Sequence, residues 1–183
     1  MKKNKPGDHI LFGVFTYLSE GSNALMMKKG IRKNNPNSGN YAPSGGNLED
    51  HERGLNPAGR LEAAIRETRE ETGLTVLDPV WRGIILFHNF EREFPNWPNP
   101  EDFLVYVFSA TKYSGKLGKG KKKEIPLWIP EKEIPYLPQN PGDRKIYEWL
   151  KDGRFFAGII KHKGKEIDDF GTHVDFLTYP PTN

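Results

Sequence analysis

The sequence predicts an α+β sandwich, and three observations carry that expectation. Several short stretches are rich in β-branched and aromatic residues and are bounded by Gly, Pro or Asn. Two others, 59–72 and 141–151, repeat their apolar residues at helical spacing. The resulting order is strands, helix, strands, helix, strands, with no repeat and no linker that splits the chain. At 183 residues the chain is long enough for one core and too short for two comfortable ones, so a single domain over 1–183 is expected.

Residues 9–19 (H-I-L-F-G-V-F-T-Y-L-S) read as the first strand, broken at Glu20-Gly21-Ser22-Asn23, with 24–29 (A-L-M-M-K-K) as its return. Residues 30–43, punctuated by Asn, Pro and Gly, form a long loop of the kind that is often functional in compact domains. The first helix covers 59–72 and stops at Gly73, which tolerates the left-handed C-cap conformation. Its expected buried stripe is Leu61, Ala64, Ile65, Thr68 and Thr72. A strand follows within 76–89, then an extended loop over 90–102. Residues 103–112 alternate, with Phe103, Val105, Val107 and Ser109 on one side. After a lysine-rich turn, the prolines at both ends of 125–130 suggest an edge strand. The second helix starts at Pro141 and ends before Gly153, with Ile146, Tyr147 and Leu150 as its apolar face. Residues 154–161 and 172–178 read as the last two strands.

Cysteine is absent, which excludes disulfides and thiolate metal sites. No apolar run approaches the roughly 18 residues that span a bilayer. The basic start M-K-K-N-K-P-G-D leads into no hydrophobic signal region, so a cytoplasmic location without a membrane partner is expected. The net charge of +3 is local, with Lys116, Lys119, Lys121, Lys122 and Lys123 crowding one stretch. That stretch reads either as a solvated hairpin turn or as a phosphate-attracting rim. No aromatic residue interleaves these lysines, so nucleic acid is a poorly supported partner; monomer and homodimer both stay open.

The chemistry concentrates in 44–74. Glu67, Glu70 and Glu71 stand at i, i+3 and i+4 and cluster on one helical edge. Three carboxylates so placed repel one another unless a positive group sits among them. Mg²⁺ is the natural candidate, being a hard ion that takes carboxylate oxygens, and Mn²⁺ is the alternative. The plain competing reading is a solvated helix carrying Glu62–Arg66 and Arg66–Glu70 ion pairs. The histidines show no ligand spacing, and of them only His51 merits a test.

Arg66-Glu67-x-x-Glu70-Glu71-x-Gly73-Leu74, with Gly45-Gly46 upstream, resembles the Nudix box, G-x5-E-x7-R-E-U-x-E-E-x-G-U with U aliphatic. Thr68 takes the first U position, and Gly46 lies twenty residues before Arg66 where the pattern asks for fourteen. Counted back from Arg66, Ala58 stands at the place of the first glutamate, with Glu49 or Glu52 as substitutes. The resemblance implies a Nudix-type α/β/α sandwich with a mixed central sheet. It also implies a metal-dependent hydrolase cleaving a pyrophosphate bond in a nucleoside triphosphate or nucleoside diphosphate derivative. A non-catalytic Nudix-fold module that binds a nucleotide or RNA end is the alternative.

Residue by residue, the resemblance implies Gly45, Glu67, Glu70 and Glu71 as metal ligands. It gives Arg66 an orienting role and assigns the general base to Glu67 or Glu124. The run L-M-M-K-K-G and the tail W-I-P-E-K-E-I-P-Y, P-G-D-R and W-L-K-D-G-R-F-F-A-G are similar to MutT-type 8-oxo-dGTP diphosphatases. This implies substrate contacts at Lys28, Tyr41, Asn140 and Asp143. In the human relative of that group a Trp-Pro-Asp-Asp element contacts the purine. Here Asn140-Pro141-Gly142-Asp143 occupies its place, keeping the proline and the second aspartate but neither the tryptophan nor the first aspartate, so an oxidised-guanine specificity is not implied.

Overall fold

The computed structural model describes residues 10–31, 33, 37–53, 57–91, 102–120, 124–163 and 166–177. Ten strands form one mixed sheet among them. Its spine is β1 (Ile10–Glu20), β6 (Val80–Glu91), β7 (Asp102–Ala110) and β10 (Phe155–Lys163), ordered β10-β6-β7-β1. β1 runs parallel to β7 and β10 parallel to β6, while β6 and β7 are antiparallel. β2 (Asn23–Lys28) turns back from β1 and carries β3 (Tyr41–Ala42) and β9 (Ile125–Pro130). β9 pairs with β2 alone among the described residues, the edge position its prolines suggested. β4 (Ser44–Asn47) pairs with β1, and β11 (Glu166–Ile167) and β12 (His173–Leu177) pair with β10. A small second sheet joins β5 (Leu74–Val76) to β8 (Tyr113–Gly115).

The central strands are almost continuously apolar because both faces of the sheet are covered. Alternate residues divide between two helices. Val14, Tyr106 and Phe108 pack on Ala63 and Ala64 of α1 (Ala58–Thr72). Tyr17, Ile85, Phe87, Val105, Val107, Phe156 and Ile160 pack with Ile146 and Tyr147 of α2 (Pro141–Leu150). The molecule is thus an α/β/α sandwich, with Phe103, Val105 and Val107 on one face as the alternation indicated.

Several boundaries differ from the sequence reading. The strand expected within 76–89 is β6, which runs on to Glu91; the short β5 precedes it across a turn at 77–79, where Asp78 accepts from the backbone N–H groups of Thr111 and Lys112. The buried stripe of α1 is rotated: Ala63 is buried and Leu61 is 36% exposed, because short side chains let the helix approach the sheet. Ser44 to Asn47, to which the sequence assigns no element, form a strand. Most of the 90–102 loop, and Lys121–Lys123 of the lysine run, lie outside the described residues. No described helix is long and apolar enough to cross a membrane.

Candidate active site

β4 and α1 are fastened to each other before any acidic group is considered. Ser44 Oγ and Thr68 Oγ1 share a buried hydrogen bond of 3.0 Å, and Thr68 also donates to the Ala64 carbonyl at 2.8 Å. Thr68 in an otherwise aliphatic position is therefore a polar rivet. The register β1 imposes on β4 then sets Gly45 and Gly46 beside the acidic edge of the helix. The Gly45 N–H donates to Glu71 Oε2 at 2.9 Å. A Cβ on Gly46 would lie 2.6 Å from the Glu67 carboxyl carbon, so a side chain there would push that carboxylate out of its place.

Arg66 binds the box together. Its Nε and Nη2 each donate to one oxygen of Glu52 at 2.8 Å, a bidentate fork. Nη1 donates to Glu67 at 2.6 Å, and Nη2 also reaches the Asn47 carbonyl at 3.2 Å. Glu70 lies 3.8 Å and Glu49 4.0 Å from the same guanidinium. Glu52 is 1% exposed and also accepts the Glu49 N–H at 2.7 Å. Burial raises its carboxyl, but Arg66 and the backbone donor outweigh that and hold it below the ordinary value. Gly59 lets the first turn of α1 press on the backbone of Glu52, where a Cβ would meet the Glu52 carbonyl oxygen at 2.5 Å.

A second cation sits at the other end of the acidic edge. Lys29 Nζ is 3.1 Å from Glu124 Oε2 and 3.9 Å from Glu71 Oε1. Burial pushes the Glu71 carboxyl up to about 7; Lys29 and the Gly45 N–H oppose the rise, while Glu124 and Glu67 add to it. Lys28, the preceding residue, is exposed and holds its ammonium 5.7 Å above the Tyr41 ring. Asn140 and Asp143 meet at the start of α2, where Asn140 Nδ2 donates to Asp143 at 3.5 Å. Asn40 Nδ2 donates to Asn140 Oδ1 at 3.2 Å, and the Tyr41 N–H donates to the Pro138 carbonyl at 2.7 Å, so the pre-box segment and α2 are stitched together. Asp143 is 5% exposed, and burial pushes its carboxyl up to about 7 against the pull of Lys29 and Asn140. His51 is exposed, 3.6 Å from Glu49. Trp128 packs on the core beside Tyr113 rather than offering a free face.

A NUDIX domain family model matches residues 8–150. The chain belongs to the Nudix family. It is 25% identical over 143 residues to the uncharacterized Nudix hydrolase YvcI of Bacillus subtilis (strain 168), covering 76% of this chain and 83% of that one. Among solved structures, a MutT protein of Bacillus halodurans superposes with a TM-score of 0.72 at 23% identity, over 90% of this chain and 97% of its own. The Nudix domain of Shewanella oneidensis NrtR, solved with ADP ribose, has a TM-score of 0.61 at 11% identity, over 82% of this chain and 94% of its own.

For this Nudix domain the geometry corrects the register of the box. Ala58 opens α1 and brings no carboxylate; the acid that meets Arg66 is Glu52, not Glu49. Counted forward from Gly46, Glu52 falls at G-x5-E, so the six additional residues lie between Glu52 and Arg66. Counting from both ends of the motif would have located them. Lys29 had no such signal. Gly142, at the place of a recognition aspartate, is pressed on Phe87 and His162: its Cβ would lie 2.7 and 2.9 Å from them, leaving no room for a side chain.

Hydrolases of this family generally use a divalent metal such as Mg²⁺. Glu67, Glu70, Glu71 and Glu124 are all oxygen donors, which suits a hard cation in kind. Among the described residues no three acids are grouped closely enough to grip an ion; Glu67 is engaged by Arg66, and Glu71 by the Gly45 N–H and Lys29.

Proposed function

We propose that this chain is a metal-dependent Nudix hydrolase that cleaves a pyrophosphate bond in a nucleoside triphosphate or nucleoside diphosphate derivative. The observation that carries the reading is the pairing of a bare Gly45-Gly46 strand with the Glu67 and Glu71 carboxylates, indexed by the Arg66–Glu52 fork. Glu67, Glu70 and Glu71, with the Gly45 carbonyl, would hold Mg²⁺ or Mn²⁺. When bound, the ion neutralises charge on the phosphate oxygens and helps to position water.

The chain's own residues supply the rest. Water attacks phosphorus, the bridging P–O bond breaks toward the departing phosphate group, and Glu67 or Glu124 takes the proton released by the water. Arg66 orients Glu67 rather than touching substrate, since its donors are taken up by Glu52, Glu67 and Asn47. Lys28 offers a point charge to the phosphate chain, and Tyr41 beside it offers a ring to the base. Asn140 supplies polar contacts at the far end, and Asp143 backs it from a buried position. ADP ribose, seen with the Shewanella domain, belongs to the same class of nucleoside diphosphate derivative. The non-catalytic alternative rests on Ala58 at the place of the first glutamate and on the lengthened loop; Glu52 against Arg66 speaks against the first of these.

The test is a panel of nucleoside triphosphates, dinucleoside polyphosphates and nucleotide sugars with Mg²⁺ or Mn²⁺ and identified products. Turnover of at least one, reduced at least ~100-fold in kcat by Glu71→Gln with the fold retained, is expected. Silence across the panel, or a fully active Glu71→Gln, contradicts the proposal.

A further inference from the structure

Lys29 is a residue the proposed chemistry does not use, yet it is the cation closest to two of its carboxylates. Its ammonium is 3.1 Å from Glu124 and 3.9 Å from Glu71, and its side chain is 23% exposed. Its charge also reaches Asp143. One point charge therefore bridges two acids, contributed by α1 and by the segment before β9, and its field extends to Asp143 on α2. The neighbouring backbone is fixed: the Lys29 N–H donates to the Asn40 carbonyl at 2.8 Å, and the Lys29 carbonyl accepts from Gly39 at 3.2 Å. Strand alternation sends Lys28 outward over Tyr41 and leaves Lys29 aimed at the acids.

We propose that Lys29 is a built-in counter-ion of the carboxylate cradle, set where its charge competes with a divalent cation for Glu71 and Glu124. The inference rests on the reading of those acids as a metal cradle. The argument is electrostatic. Without a cation, Glu71 and Glu124 lie close enough for each charge to disfavour the other, and Lys29 offsets that repulsion. An ammonium is a compact charge on a flexible stem and makes no bidentate fork, so it can swing away when a divalent ion arrives. Its presence then lowers metal affinity, because the ion must either displace Lys29 or bind beside a like charge. A tethering lysine that merely ordered Glu124 would have the opposite effect on affinity, and one that served only as a phosphate hook would have none.

The sign of the effect decides between them. Mn²⁺ alone is titrated into the full chain and followed by electron paramagnetic resonance, with wild type, Lys29→Met, Lys29→Gln and Lys29→Arg in parallel. Both neutral variants should bind Mn²⁺ at least about tenfold more tightly than wild type. Lys29→Arg should stay within about threefold of it, because the charge is kept. In EDTA the neutral variants should melt lower than wild type, and Mn²⁺ should raise their Tm by more. Unchanged or weaker Mn²⁺ binding in both folded neutral variants overturns the proposal. Absence of Mn²⁺ binding in wild type and variants alike overturns the metal-cradle reading itself, and the counter-ion role with it. If Lys29→Met does not fold, Lys29→Gln, which keeps length and polarity, decides alone.

Discussion

The two cations at the acidic edge of α1 do different work. Arg66 commits its planar fork to Glu52, with both contacts at 2.8 Å, and adds Glu67 and the Asn47 carbonyl. Those donors fix angles as well as distances, so the guanidinium acts as a strut joining the helix to the segment after β4. Lys29 makes one contact at 3.1 Å and one at 3.9 Å, with no directional demand comparable to a fork. The first cluster braces the architecture, and the second balances charge among the acids.

The strongest way to break that comparison is to remove the buried acid from the strut. Glu52→Ala leaves Arg66, 23% exposed at its side chain, without its fork partner. We expect a loss of about 2 kcal/mol in urea-induced unfolding, less than for a fully buried pair because water and Glu67 still reach the guanidinium. A loss below about 1 kcal/mol would place Arg66 among ordinary surface pairs.

Asp143 sharpens the other side. Its ordinary pKa is 3.8, and burial raises it to about 7 in the folded chain. Between these values the folded state holds a proton that the unfolded state has released. Its contribution is therefore fully present below about pH 4 and is lost as pH rises toward 7. For the metal-free protein this predicts a stability that falls from pH 5 to pH 7, with Asp143→Asn removing roughly 2 kcal/mol of that fall. Glu71, raised in the same direction, leaves a residual slope. A pH profile identical to wild type in Asp143→Asn contradicts the assignment. The smallest effect belongs to Glu49, which is half exposed and 4.0 Å from Arg66. Glu49→Gln should change stability by less than about 0.5 kcal/mol, which separates it from Glu52 in the same unfolding assay.

What was legible in the chain follows from what is local. Gly73 does cap α1, with φ of 80° and its N–H on the Arg69 carbonyl, because a left-handed residue is required there whatever lies around it. Pro141 opens α2, and the alternation of Phe103, Val105 and Val107 gave the face of β7. The short strands β3, β4, β5 and β8 were not legible, since two to four residues carry no period and owe their shape to distant partners. Gly45 and Gly46 have weak strand propensity, yet β1 takes them as a strand because Phe15 and Val14 pair with them. The exposure of Leu61 and the burial of Ala63 depended on how closely α1 approaches the sheet. The sequence offers Glu49 and Glu52 alike for the first glutamate, and the fork to Arg66 is what separates them. Lys29 was not legible, because its partner Glu124 is ninety-five residues away and is delivered by the pairing of β9 with β2.

The most direct measurement is Mn²⁺ binding to wild type and to Glu67→Gln and Glu71→Gln, each confirmed as folded by circular dichroism. The account predicts saturable binding to wild type and at least a tenfold weakening, about 1.4 kcal/mol, in each variant. Equal Mn²⁺ binding by all three proteins would contradict it, because the ion would then be held somewhere other than the edge that faces Gly45 and Gly46.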